Sequence, residues 1–184
     1  MKIIGITGTL GAGKGTVVEY LVNNLGYKHY SVRAYLIEEI EKRGMEVNRD
    51  SMTEVANELR AKYSPAYIIE QLYQRAANSK ENSIIESIRT PGEIDFLEKQ
   101  GDFLLIAVDA DAKIRYDRIV LRGSETDKIS FETFLANEKR EFTTNDPNKQ
   151  NLGVCIKRAD ILLKNNHSIE ELRNNLNTEM NKLH

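Results

Sequence analysis

Nine residues near the amino terminus, Gly8-Thr9-Leu10-Gly11-Ala12-Gly13-Lys14-Gly15-Thr16, have the composition and spacing of a loop that wraps a phosphate. Glycines let successive backbone N–H groups turn inward around an anion, and the start of a following helix adds a favourable field. Lys14 reaches the outer phosphates of a polyphosphate as a compact charge on a long stem. The commonest form of this loop places a magnesium-binding hydroxyl directly after the lysine. Here that position is Gly15, so magnesium falls mainly to water and phosphate oxygens, and Thr16 is free to donate to a neighbouring phosphate.

Moving a phosphoryl group asks for cations around its equatorial oxygens, in-line substrates and exclusion of water. Several residues answer that demand. Glu86 ends the apolar run Ser83-Ile84-Ile85, where it can orient magnesium through water or activate an acceptor. Arg89 follows in a turn at the same edge. Arg118 and Arg122 lie four apart and share a helix face, with Ile119 and Val120 expected to turn toward a core. Arg140, beside Lys139, brings a bidentate guanidinium from a later helix. His29, His167 and His184 have no metal-ligand spacing with any partner and are not read as catalytic.

Gly-Ala-Gly-Lys-Gly-Thr resembles the loop of adenylate kinase and other nucleoside monophosphate kinases, and Ile-Gly-Ile-Thr-Gly resembles the opening of dephospho-CoA kinases. By that resemblance ATP with magnesium lies along residues 8–16. Arg89 is similar to the arginine of Asp-Gly-x-x-Arg that holds the acceptor's phosphate, although Glu86-Ser87-Ile88-Arg89 is one residue shorter and carries a longer acid. Asp117-Arg118-Ile119-Val120-Leu121-Arg122 looks like the start of an adenylate-kinase lid, which sets Arg118 against the base and Arg122 on the transferring phosphate. The usual acceptor arginine is replaced by Ile37, leaving Arg33 or Arg60 as substitutes. Asn165, in a tail similar to that of dephospho-CoA kinases, would edge the adenine. The resemblance implies transfer to a nucleoside or deoxynucleoside monophosphate, with dephospho-CoA as the alternative. The chain also looks similar to archaeal-type kinase-like proteins. From another class stands an ATP-binding switch or scaffold with no small acceptor. A GTPase switch is disfavoured, because Asn148-Lys149-Gln150 is followed by Asn151 rather than by the aspartate of guanine recognition.

Positioning such groups takes alternating strands and helices. Five short apolar strands between helices predict a parallel sheet covered on both faces, with ligands beyond the strands' carboxyl ends. Residues 1–184 read as one three-layer α/β/α domain of the P-loop kinase kind. A helical acceptor-binding insertion spans about 33–80, where Ser51-Met52-Thr53-Glu54 reads as a capping box and Ser64-Pro65 opens a helix. A short lid spans about 123–151. Tyr63, Tyr67 and Tyr73 either stack on an acceptor base or pack the insertion.

With 184 residues the chain can bury a substantial core, and 40% hydrophobic with 29% charged residues is ordinary for a globular protein. A net charge of −2 offers no general attraction to nucleic acid. The single cysteine excludes an internal disulfide and suits a reducing compartment. No apolar run nears the roughly 18 residues of a membrane span. The expectation is a cytoplasmic monomer or homodimer whose partner is a small phosphate acceptor, with no membrane or nucleic acid.

Overall fold

The computed structural model describes residues 1–123 and 128–182. Residues 124–127 of the polar loop expected over 123–128, and residues 183–184, lie outside the described residues. The element order is β1 (Ile3–Gly8), α1 (Lys14–Leu25), β2 (Lys28–Ser31), α2 (Val32–Lys42), α3 (Arg49–Lys62), α4 (Tyr67–Ser79), β3 (Ser83–Glu86), α5 (Pro91–Glu98), β4 (Phe103–Asp109), α6 (Ala112–Arg122), α7 (Phe131–Phe142), α8 (Leu152–Lys157), β5 (Ile161–Lys164) and α9 (Ile169–Asn181).

The strands form one five-stranded sheet in the order β2-β3-β1-β4-β5, every pair parallel. Near-continuous apolar runs such as Ile3-Ile4 and Leu104-Leu105-Ile106 suit strands buried on both faces. Alternation divides them. Ile4, Ile6, Ile84, Leu104 and Ile106 pack with α1 and α9 through Val17, Leu21, Leu172 and Leu176. Ile3, Ile85 and Leu105 pack on the other face with Ile40, Val55, Ile69, Ile94 and Cys155, from α2 to α5 and α8. The result is the three-layer α/β/α arrangement of a P-loop kinase fold. Register places Glu86 beside Ile6 and Val108 beside Gly8, so the glycine loop and the acid leave the sheet at one edge.

The insertion is helical, and two of its boundaries differ from the sequence expectation. α3 begins at Arg49, because Asn48 rather than Ser51 is the cap. Ser51 N donates to Asn48 Oδ1 at 2.9 Å and Asn48 N donates to Ser51 Oγ at 3.0 Å, a reciprocal box one turn early. α4 starts at Tyr67, so Pro65 precedes it. Tyr63 stacks on Tyr67 with ring centroids 4.3 Å apart, and Tyr73 meets Phe96 edge-on, so these rings pack the insertion. Helix α8 falls in a stretch for which the sequence predicts no helix; Asn151 caps it with a side chain accepting from Val154 N. In α6 the buried residues are Arg115 and Ile119, while Val120 is half exposed. No helix among the described residues is long and apolar enough to cross a membrane.

One buried carboxylate fastens the insertion to the sheet. Glu93, at the start of α5, accepts from Arg60 Nη2 at 3.1 Å, Arg89 N at 2.6 Å and Thr90 N at 3.0 Å. The side chains of Arg60 and Glu93 are only 2% and 1% exposed. Removing one member of such a pair strands a charge in a dry interior, at about 3–5 kcal/mol. Glu93→Ala is therefore expected to lower the urea midpoint by that much stability with an unchanged slope; a loss under about 1 kcal/mol would show the pair to be dispensable.

Candidate active site

The glycine loop is held from behind by three hydrogen bonds. Thr9, almost fully buried, donates from Oγ1 to Asp109 Oδ1 at 2.9 Å and so fixes the loop to the end of β4. Asn165 donates from Nδ2 to Ala12 O at 2.8 Å. Arg115 donates from Nη1 to Leu10 O at 3.3 Å. Two glycines are required by contact as well as by torsion. At Gly8, with φ 136°, a Cβ would lie 2.0 Å from Val108 O; at Gly11, with φ 79°, one would lie 2.5 Å from Arg115 O. Gly13 turns left-handed at φ 103° as the cap from which α1 begins at Lys14. At Gly15 an added Cβ would meet nothing within 4 Å. That side of the loop opens onto the cleft.

The cleft is a cavity of about 660 Å³. Leu10, Gly11, Gly13, Lys14, Gly15 and Thr16 line its floor, while Gly8, Thr9 and Ala12 lie behind them. Arg33, Arg60, Glu86, Arg89, Arg118 and Arg122 line it too, so residues as far apart in sequence as Leu10 and Arg122 converge on one space. Two expected residues are placed elsewhere. Arg140 is exposed and outside the lining, because the inward stripe of α7 is Phe134, Glu138 and Glu141. Asn165 is buried, with its amide committed to Ala12 O rather than offered to a base.

Lys14 folds back onto its own loop, donating from Nζ to Gly8 O at 3.0 Å and Thr9 O at 2.9 Å. Burial, then the Arg89 charge, lowers its pKa to about 7, against the pull of Glu86 and Glu141. Glu86 lies with Oε2 3.1 Å from His29 Nε2. Burial opposes its charge, but the His29 hydrogen bond and the Lys14, His29 and Arg89 charges outweigh it and hold the carboxyl below the usual range. It is therefore an anion at neutral pH. Ser87 follows with φ 73°, a left-handed conformation unusual for a residue with a Cβ. Its N–H and that of Ile88 both donate to Ile6 O, at 2.9 and 3.0 Å, and Thr7 Oγ1 donates to Ile88 O at 2.7 Å. This tight turn delivers Arg89 to the cleft.

Sequence reasoning missed several residues of this site. Arg49 and Gln150 line the cavity, and Glu141 reaches it from α7. Arg49, Thr53, Ala56 and Arg60 form one face of α3, a stripe visible in the sequence once the helix starts at 49. Buried Arg115 is a tie between the loop and α7: besides Leu10 O it donates to Ala110 O at 2.6 Å and, from Nη2, to Glu138 at 2.8 and 3.0 Å. No local pattern marks it. Ile37, where the resemblance expects an arginine, is outside the lining, whereas Val32 and Leu36 of the same helix belong to it.

The AAA domain family matches the chain over residues 4–146. A UPF0200 protein of Pyrobaculum aerophilum is 30% identical over 174 residues, spanning 94% of this chain and 92% of that one. The chain belongs to the AAA domain family and to the UPF0200 proteins. Another UPF0200 relative, from Methanocaldococcus jannaschii, is 27% identical over 100% of this chain and 91% of its own. Among solved structures, TT1252 from Thermus thermophilus superposes with a TM-score of 0.64 at 21% identity, covering 100% of this chain and 98% of that chain. Shikimate kinase from Aquifex aeolicus gives a TM-score of 0.56 at 17% identity, with 98% of each chain covered. Dephospho-CoA kinase from Campylobacter jejuni gives 0.53 at 17%, covering 98% and 96%. These likenesses establish the fold: a P-loop kinase-like domain.

A polyphosphate beside Lys14 favours its protonated form, whereas the free protein gives up that proton near pH 7. Each complex formed above that pH must therefore take up a proton. The affinity for MgATP is expected to weaken by up to about tenfold per pH unit between about pH 7 and pH 9, and the dependence should vanish in Lys14→Ala. Calorimetric titration across that range checks both; a flat wild-type profile would show that Lys14 stays charged in the free protein.

Proposed function

We propose that this chain transfers the γ-phosphoryl group of ATP to a small anionic acceptor, in first place a nucleoside or deoxynucleoside monophosphate. One observation carries the reading. The cavity that begins at the glycine loop continues past Glu86 and Arg89 into the insertion, where Arg33, Arg49 and Arg60 stand among Val32, Leu36, Met52 and Ala56. A nucleotide tail on the loop and an anion with an apolar or planar body on the insertion fit one space, end to end.

The division of labour follows from charge. The loop N–H groups and Lys14 hold the β- and γ-phosphates, Arg118 flanks the base, and Arg122 with Arg89 neutralises the charge spread over the moving phosphoryl group. An acceptor phosphate oxygen is already a nucleophile, so Glu86 is needed less as a base than as a magnesium orienter. The donor set suits that ion: a charged carboxylate at Glu86 and open space at Gly15 for water and phosphate oxygens. Held there, magnesium would supply positive charge to offset the negative charge of the polyphosphate. In the transfer the acceptor oxygen forms a bond to the γ-phosphorus as the bond to the β-γ bridging oxygen breaks, and ADP leaves with that electron pair.

The test is a coupled ADP-release assay over nucleoside and deoxynucleoside monophosphates, dephospho-CoA, shikimate and no acceptor. One monophosphate is expected to raise ADP release well above the acceptor-free rate. Arg122→Ala should cut that turnover by about a hundredfold or more with only a small change in MgATP affinity. Release that no acceptor stimulates would instead mark a nucleotide-dependent switch, and dephospho-CoA as the sole active compound would replace the monophosphate.

A further inference from the structure

The lid-side helix α7 places a carboxylate in the acceptor end of the cleft. Glu141 sits in the last turn of α7, where the helix field disfavours a negative charge, so helix chemistry does not account for it. Its side chain is 11% exposed and its two oxygens are divided between two guanidiniums. Oε1 accepts from Arg49 Nη2 at 2.7 Å, and Oε2 accepts from Arg89 Nη1 at 3.3 Å. The two arginines come from different elements, the start of α3 and the turn after β3. Nothing else in the cleft bridges them among the described residues.

The arginines are better built than the carboxylate requires. The Arg89 backbone is pinned by Glu93, and Arg89 Nη1 also donates to Gln150 Oε1 at 2.8 Å. Arg49 Nε is buried with no partner, and so is Nη1 of Arg60 on the same helix and the same cavity wall. A buried guanidinium N–H without an acceptor costs free energy, so unfilled donors beside a two-oxygen anion indicate a ligand with more acceptors to offer. A phosphate monoester has three terminal oxygens.

Resting on the kinase reading above, we propose that Arg49 and Arg89 form the binding site for the acceptor's terminal oxyanion, and that Glu141 occupies this site in the free protein as a built-in stand-in. The acceptor enters by exchange: its oxyanion takes both guanidiniums and Glu141 withdraws with α7. Phosphate and carboxylate share this chemistry, and the orphaned donors of Arg49 and Arg60 favour phosphate. The exchange also ties acceptor binding to the loop, because Arg115 joins Glu138 of the same helix to Leu10 O.

A carboxylate that merely fastened α7 to α3 would give a different result from a competitor. The measurement is calorimetric binding of AMP, inorganic phosphate and benzoate, without ATP, to wild type and to Glu141→Gln. Removing a competitor is expected to tighten at least one probe by about tenfold, and adding Arg49→Ala should abolish the gain. A gain for AMP or phosphate identifies a phosphate acceptor, and a gain for benzoate alone identifies a carboxylate. Equal or weaker binding of all three probes overturns the proposal. Should Glu141→Gln not fold, Glu141→Asp, whose shorter arm retracts the charge, must move affinity in the same direction. Because no phosphoryl transfer is read, a failed kinase assay leaves this outcome standing, and the reverse also holds.

Discussion

Crowding of positive charge in one cleft is the constraint on which the rest of this structure depends. Seven cationic side chains, Lys14, Arg33, Arg49, Arg60, Arg89, Arg118 and Arg122, line the cavity with two carboxylates, Glu86 and Glu141, in a chain whose formal net charge is −2. Like charges at short range in a poorly solvated space oppose folding unless something relieves them. Relief comes in three forms. Glu93 neutralises Arg60 from beneath, Glu141 bridges Arg49 and Arg89 from α7, and Lys14 holds its proton only weakly. Each offsets positive charge within the cleft.

A cleft of this kind works only if its donors already point where the anion will be, since preorganised dipoles need no reorganisation when charge arrives. The rigidity is supplied from outside the motif. Asp109 ends β4, Asn165 follows β5 and Arg115 lies on α6, yet all three secure the glycine loop. The parallel sheet makes this possible, because every strand delivers its carboxyl end to the same edge. The strained turn at Ser87 belongs to the same economy: a left-handed residue directly after β3 swings Arg89 over the loop, and hydrogen bonds from Thr7 and to Ile6 hold it there.

Much of the fold was legible in the sequence because its signals are local. Apolar runs of strand length separated by helical stretches gave the five parallel strands, and Gly8 to Thr16 announced the phosphate loop by spacing alone. Boundaries were less secure. The sequence places the cap of α3 at Ser51, whereas Asn48 is the residue whose side chain takes the cap, and a helix begun one turn late leaves Arg49 out of the stripe that lines the cavity. The sequence reading prefers Arg140 to Lys139 for its bidentate guanidinium, yet it is Glu141 that lines the cavity. Which of two neighbours on a helix faces inward is settled by the packing of Phe134, not by the chemistry of the pair.

The sequence by itself determined the nucleotide loop, the parallel α/β architecture and most of the residues that line the cleft, because a glycine spacing and a hydrophobic period act over a few residues. Only the tertiary structure decided what those residues do to one another. Asn165 became a brace for the loop, His29 the neighbour of Glu86, and Glu141 the bridge between Arg49 and Arg89. Those assignments depend on electrostatic and hydrogen-bonding contacts across 52 to 153 positions of chain, and such contacts exist only after the sheet has fixed its register.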